Sequence, residues 1–186
     1  MANIDLRVIK TRNNLFNSLA TLMKDKSFEE IKVSDICNEA LINRSTFYSH
    51  YQDKYELLID FINTLKTHLE ESLSTNENIS CTKDYYLKLT ELLLKHIDEK
   101  KTIYKLIIQN NKNSILMDIL LDVVGKDINN HLKKDINNSK VPTDVISTFY
   151  LGAFVSLGIE WLNYDNKYTI IDIINYLNEL IPDNIN

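Results

Sequence analysis

The sequence of 186 residues is poor in the residues that short turns require, with 3 glycines and 2 prolines. Sandwiches, barrels and phosphate-binding glycine loops need such residues at short intervals, so their scarcity argues against all three. Hydrophobic residues make up 44% and charged residues 25% of the chain. This balance is close to the globular average and excludes wholesale disorder and fibrous classes. We therefore expect an all-α protein, with long helices joined by brief connections.

Cysteine and long apolar runs are also scarce. Cys37 and Cys81 form no disulfide framework of the kind that small secreted proteins carry. The longest largely apolar stretch, 149–162, is interrupted by Glu160 and is shorter than the roughly 20 residues that a membrane-spanning helix needs. The first residues contain no apolar signal-peptide core. The sequence therefore predicts a cytoplasmic protein without a membrane span.

Residue patterns typical of metal sites and catalytic sites are missing as well. The histidines are His50, His68, His96 and His131, and their spacing does not match a known metal-ligand motif. We find no paired groups suited to acid–base or nucleophilic catalysis. The sequence therefore predicts no metal, no cofactor and no enzymatic activity.

Charge is distributed unevenly along the chain. Residues 1–54 contain 8 lysines and arginines against 7 acidic residues, whereas 55–186 contain 13 against 19. All three arginines, Arg7, Arg12 and Arg44, lie in the first part. Because the guanidinium group suits phosphate and guanine edges, this segregation is a weak indication of an N-terminal module that faces a polyanion.

Helical periodicity is visible along most of the chain. The expected helices lie at about 5–24, 34–40, 44–51, 53–72, 83–99, 101–110, 114–136, 142–163 and 169–181. The polar stretch 74–82 indicates a loop between two parts of the molecule. We predict two domains, at 1–52 and 53–186, with helix 53–72 linking them.

The helices at 34–40 and 44–51 have the size and order of a helix-turn-helix motif, whose second helix lies in the major groove. At 100° per residue, Phe47 and Tyr51 point into the module while Ser45 and Ser49 point outward. Short outward hydroxyls allow a close approach to base edges. The alternative from pattern alone is a structural helix with a polar face in water, and the two interpretations have similar weight.

Flanking side chains extend this predicted contact surface. Arg44 lies in the first turn of the second helix, Thr46 lies on its flank, and Tyr48 and His50 can donate to phosphates on either side. Lys54 opens the following helix, where its ammonium group and the free N–H groups of the helix form a second predicted phosphate anchor.

Three segments together resemble the DNA-binding domain of the TetR family of bacterial transcriptional regulators. They are VSDICNEA at 33–40, INRS at 42–45 and TFYSHYQDKYELL at 46–58. The resemblance implies a three-helix DNA-binding head, here 1–52, and a regulatory and dimerisation domain, here 53–186, that begins with the linking fourth helix. It also implies a homodimer formed largely by the last two helices, here 143–163 and 169–181. It covers residues 8–60 well, and the C-terminal part only loosely.

Position by position, the resemblance implies roles for the head residues. Base or groove contacts fall to Arg44, Ser45 and Thr46, with Ser49 on the same outward face. Phosphate contacts fall to Ser34, Tyr48, His50 and Lys54. The sequence departs from the family at Leu41, where the turn usually has glycine, so a leucine has to adopt a positive φ angle at about 1 kcal/mol or more.

The C-terminal part is the predicted effector domain. Aromatic side chains supply apolar walls and the local net charge disfavours anions, so the expected effector is a small apolar molecule, neutral or cationic. The predicted lining residues are Tyr104, Ile108, Phe149 and Trp161, which ordinary core packing explains almost as well.

The function predicted is a ligand-responsive repressor that binds a palindromic double-stranded operator as a dimer. The alternatives are a co-regulator acting through protein contacts of its C-terminal domain and, less favoured, a small helical enzyme or carrier.

Overall fold

The computed structural model describes residues 6–73, 82–135, 141–164 and 167–181. Within these ranges 81% of the residues are helical and no strand occurs, which confirms the all-α prediction. The helices are α1 Leu6–Leu22, α2 Val33–Glu39, α3 Arg44–Tyr48, α4 Lys54–Leu73, α5 Thr82–Glu99, α6 Lys101–Asn111, α7 Ile115–Asp135, α8 Thr143–Asn163 and α9 Ile170–Leu180. Most of the predicted loop at 74–82, including Cys81, lies outside the described residues.

Helix ends follow the local capping chemistry. The Asp53 carboxylate accepts the backbone N–H groups of Tyr55 and Glu56 at 2.8 and 2.9 Å, which confirms Asp53 as the N-cap of α4. Thr169 and Asp172 form a capping box at the start of α9. Helix α3 ends at Tyr48, three residues before the predicted end, although the N–H of Tyr51 still bonds the carbonyl of Phe47.

The chain forms two compact units. Unit 1 comprises residues 1–64 and 106–120, and unit 2 comprises residues 65–105 and 121–186. Three helices, α4, α6 and α7, contribute residues to both units. Unit 1 therefore extends beyond the predicted head at 1–52, and α4 is accompanied by two further helices that run from one unit into the other.

Unit 1 has a continuous apolar core beneath the helix-turn-helix motif. Its fully buried members come from α1, the α1–α2 connection, α2, α3 and α4, and the largest are Phe28, Phe47, Leu15, Leu19, Ile31, Ile36, Leu57 and Leu58. Burying side chains of this size contributes about 1.5–3 kcal/mol each relative to leaving them exposed. The core therefore fixes the orientation of α3 on the head.

Unit 2 has a separate core formed by α7 and α8. Its buried members are Ile128, Leu132, Ile146 and Leu151, with Tyr86 and Val124 packed against them. Helix α9 packs against α5 and buries Ile173 and Leu177.

Helix α8 keeps an apolar face exposed in the single chain. Five of its exposed positions are apolar or small and follow helical spacing, and they are Val145, Phe149, Gly152, Ala153 and Ser156. On α9, Ile171 is 70% and Leu180 76% exposed. By length and composition alone, α8 is the one described helix that is able to cross a membrane, and 28% of its most apolar window is buried. An apolar helix that packs against a partner chain meets the same criteria.

Candidate nucleic-acid interface

The turn between α2 and α3 is a Schellman motif with leucine in the glycine position. The N–H of Ile42 bonds the carbonyl of Cys37 at 3.0 Å, and the N–H of Leu41 bonds the carbonyl of Asn38 at 3.2 Å. Leu41 has φ 54°, the only positive value among the non-glycine residues that the structure describes. The predicted positive φ at Leu41 is thereby confirmed. The side chain of Asn14 donates to the carbonyl of Ala40 at 2.7 Å and so fixes the end of α2 on α1.

The outward face of α3 has the composition that the sequence predicts. Arg44, Ser45, Tyr48 and Ser49 are exposed, whereas Thr46 and His50 are half-buried on the flanks. The Ser49 hydroxyl donates to the carbonyl of Thr46 at 2.7 Å. The ring of Tyr48 packs edge-on against Phe47 with centroids 5.5 Å apart. Tyr48 is nevertheless 56% exposed.

The inward face of α3 and the following turn are anchored by a polar cluster. The Tyr51 hydroxyl donates to Asp60 at 2.6 Å, and Arg12 bonds both carboxylate oxygens of Asp60 at 2.7 and 3.0 Å. Burial and the neighbouring Asp60 charge raise the pKa of Tyr51 well above its usual value of about 10. The cluster connects α1 and α4 with the turn that follows α3 through charge-assisted bonds.

Lys54 has a role that the sequence does not reveal. Its ammonium group donates to the backbone carbonyls of Phe28, Glu29 and Ile31 at 2.8, 2.9 and 2.8 Å. It also lies 4.8 Å from the ring centroid of Phe28. An ammonium group has three N–H donors. In the chain without DNA these three carbonyls therefore use all three donors, which makes Lys54 a clamp on the α1–α2 connection, and the phosphate contact of Lys54 stays a prediction.

The same connection is held from the other side by the corner between α6 and α7. The carbonyl oxygen of the Asn111 side chain accepts the N–H of Phe28 at 2.7 Å, and its NH₂ group donates to Met23 and Ile107 carbonyls at 3.3 and 2.8 Å. Asn111 is completely buried. The carboxylate of Glu29 accepts the first N–H of α7, from Ile115. Residues 106–120 are thus built into the head.

Ser34 and Cys37 lie on α2. The sequence places Ser34 at the N-cap, but the N-cap is Lys32, two residues earlier, and Asp35 accepts the N–H of Lys32 at 3.1 Å. Ser34 therefore lies in the first turn and is half-buried. Burial raises the pKa of the Cys37 thiol, which belongs to the core as the sequence predicts.

The predicted effector-lining residues differ in their burial and in their contacts. Trp161 is buried, donates from its indole N–H to the carbonyl of Tyr168 at 3.1 Å, and has the ammonium of Lys101 4.9 Å from its ring centroid. The Tyr104 hydroxyl and His96 Nε2 are 2.8 Å apart. Phe149 is 70% exposed, so it lines no enclosed space within one chain. Ile108 belongs to unit 1 and the other three to unit 2.

Comparison with known families covers both parts of the chain. Residues 16–61 match "Bacterial regulatory proteins, tetR family", and residues 84–183, more than half of the chain, match "Transcriptional regulator C-terminal region" of the same family. The chain belongs to the TetR family. It is therefore a transcriptional regulator with a DNA-binding helix-turn-helix head, and its family consists of regulators rather than enzymes.

Individual relatives are similar over part of their length. The dhaKLM operon transcriptional activator DhaS of Lactococcus lactis is 33% identical over 56% of this chain and 52% of its own. The TetC protein of transposon Tn10 from Escherichia coli is 27% identical over 62% of this chain and 53% of its own. The chain thus spans about half the length of these two relatives. The structure of Lin0861 from Listeria innocua has 21% identity and a TM-score of 0.70, covering 97% of this chain and 93% of its own, and shows the shared fold.

Proposed function

We propose that the protein binds a palindromic operator as a homodimer and regulates transcription in response to a small effector. The observation that carries the DNA-binding part is the exposed face of α3, on which an arginine and short hydroxyl groups stand above a rigid core. Recognition helices present such residues to base edges in the major groove. The proposal places the regulator in the cytoplasm, where its DNA is.

Within this proposal, Arg44, Ser45, Thr46 and Ser49 contact bases or the groove wall. Ser34, Tyr48 and His50 contact phosphates on either side. Lys54 contributes indirectly, because its three carbonyl bonds set the position of the α1–α2 connection.

The dimeric part of the proposal rests on the exposed apolar residues of α8 and α9. A face with Phe149 and Ile171 at 70% exposure is unfavourable in water and is typical of a protein interface. A two-fold dimer through this face presents two recognition helices to two half-sites, which explains a palindromic operator.

The effector part assigns a small apolar ligand, neutral or cationic, to unit 2 near Tyr104 and Trp161. Support comes from the Trp161 ring, which already faces an ammonium group of the chain at 4.9 Å. Phe149 is left out because its exposure fits the dimer face better. Thermal unfolding with benzyltrimethylammonium and with benzyl alcohol tests this part, and Trp161→Phe is expected to reduce any ligand-induced stabilisation.

Operator selection from random DNA, followed by mobility shifts at stated salt concentrations, tests the core of the proposal. The wild-type protein is expected to enrich a palindrome, and Arg44→Ala is expected to weaken binding by about 1–3 kcal/mol and to relax selectivity at one base pair of each half-site. Enrichment of no sequence would contradict the proposal.

The sign of regulation has two candidates. Repression is the sequence-based prediction, while the relative DhaS carries the name of an activator. A reporter gene placed behind the selected operator separates them, because deletion of the regulator raises expression under repression and lowers it under activation.

A further inference from the structure

Leu41 occupies a backbone conformation that suits glycine. Its φ of 54° lies in the left-handed region, where a Cβ atom crowds the following carbonyl. The hydrogen bonds of Ile42 and Leu41 to Cys37 and Asn38 hold it there. Glycine in this position forms the same motif without that strain.

The Leu41 side chain gains little from the rest of the chain. It is 92% exposed, so internal packing does not offset the backbone strain. Ile42, which is half-buried, occupies the position that supplies the usual apolar contact of the motif. Leu41 thus combines two unfavourable features, a strained backbone and an exposed apolar group. Residues with such strain cluster at functional sites.

The position of Leu41 indicates what it contacts. It lies three residues before Arg44, which is at most roughly 10 Å of extended chain. The first residues of a recognition helix contact base edges, so this turn approaches the major groove at the end of a half-site. A leucine cannot bond phosphate oxygens. The apolar group that base pairs present in the major groove is the C5-methyl group of thymine.

We infer that Leu41 is a specificity-determining residue that packs against a thymine methyl group in each operator half-site. The inference rests on the proposed DNA-binding function and adds to it a base preference outside α3. It also explains a leucine at a glycine position, because the exposed side chain becomes buried when DNA binds.

Deoxyuridine substitution in the selected operator tests this contact. Deoxyuridine pairs like thymidine and lacks only the methyl group, so each thymine of a half-site is replaced in turn. At one position the replacement is expected to weaken wild-type binding about fourfold, the value of one buried methyl-sized group. Leu41→Gly and Leu41→Ala are expected to be insensitive to the replacement at that position, whereas Leu41→Met keeps the sensitivity because it retains an apolar chain.

Stability measurements separate the backbone strain of Leu41 from its proposed contact with DNA. Leu41→Gly is expected to raise the unfolding midpoint by about 2–4 °C while it weakens operator binding. Leu41→Ala keeps a Cβ atom, so it is expected to lose affinity without that gain. The inference is overturned when both variants bind the operator as the wild type does, when no thymine shows the coupling, or when operator and random DNA lose affinity equally. Failure of the proposed function is a different result, since the wild type itself then selects no sequence.

Discussion

The side-chain oxygen of Asn111 accepts a 2.7 Å hydrogen bond from the backbone N–H of Phe28, 83 positions earlier in the chain. All the hydrogen-bonding groups of the Asn111 amide are used, because its NH₂ group donates to two carbonyls and its oxygen also accepts the hydroxyl of Ser114. The corner between α6 and α7 is therefore part of the structure that positions the recognition helix. A movement of α6 that displaces Asn111 would therefore weaken the hydrogen bond that holds Phe28 in the connection before α2.

Replacing Asn111 by alanine is expected to destabilise the protein by about 2–4 kcal/mol, because the buried N–H of Phe28 and two carbonyls lose their partner. Asn110→Ala is the matched control, since Asn110 is exposed and makes one bond, to Lys24. Urea unfolding monitored by circular dichroism measures both. Hydrogen exchange is expected to accelerate at Phe28 in the Asn111 variant and not in the control. Equal stability of the two variants would contradict the role of Asn111.

Replacing Lys54 by methionine is expected to lower stability by about 2 kcal/mol through the loss of three carbonyl bonds from a charged donor. The salt dependence of operator binding distinguishes this role from the phosphate contact predicted from sequence. A clamp leaves the slope of log K against log salt unchanged, whereas a lost phosphate contact reduces it by about one unit. Tyr48→Phe is the comparison, because Tyr48 is a predicted phosphate contact. Losing such a contact weakens binding to all DNA sequences alike.

Local sequence was sufficient for features that depend on neighbouring residues. Asp53 three positions before Glu56 predicts a helix start, and its carboxylate caps α4 as expected. At 100° per residue, the positions of Phe47 and Tyr51 predict which face of α3 is inward, and both side chains are buried. The positive φ of Leu41 is predicted by the resemblance, in which the turn has glycine.

The clamps on the α1–α2 connection were beyond sequence reasoning. On the α1–α2 connection, Lys54 and Asn111 bond backbone carbonyl and N–H groups that lie 23 or more positions away. Nearly every residue has these backbone groups, so no residue pattern in the sequence marks them as partners. A lysine at a helix start beside a helix-turn-helix motif also has an obvious alternative partner in DNA phosphate. Asn111 lies in the polar run NNKN, which indicates a helix end and nothing about burial.

Replacing Tyr51 by phenylalanine is expected to lower stability at neutral pH by about 1–2 kcal/mol, because the hydroxyl bonds a carboxylate that also holds Arg12. The pKa of Tyr51 is raised in the folded state. Its contribution is therefore fully present below pH of about 10, where the unfolded phenol is protonated, and is lost as the pH rises further. The difference in unfolding free energy between wild type and variant is therefore expected to be constant up to a pH of about 9 and to shrink as the pH rises above about 10.

Tyr48→Phe serves as the control for this pH dependence, since it removes an exposed phenol only three residues before Tyr51. It is expected to change stability little at neutral pH. A wild-type advantage over Tyr51→Phe that stays constant with pH would show that the Tyr51 hydroxyl does not carry it.

Replacing Gly152 by leucine is expected to dissociate the proposed dimer without unfolding the single chain. A Cβ atom added at Gly152 meets no atom within 4 Å, so one chain has room for a larger side chain there. A partner helix packed on the face of Phe149 and Ser156 uses that room, and leucine would hold the two helices apart. Gly152→Leu also improves helix propensity by almost 1 kcal/mol, so the variant monomer is expected to retain its helical content.

Sedimentation velocity at micromolar concentration is expected to show a dimer for wild type and a monomer for the variant. Lys126→Leu places the same side chain on an exposed site of α7 and is expected to stay dimeric. A dimeric Gly152→Leu protein would place the interface elsewhere.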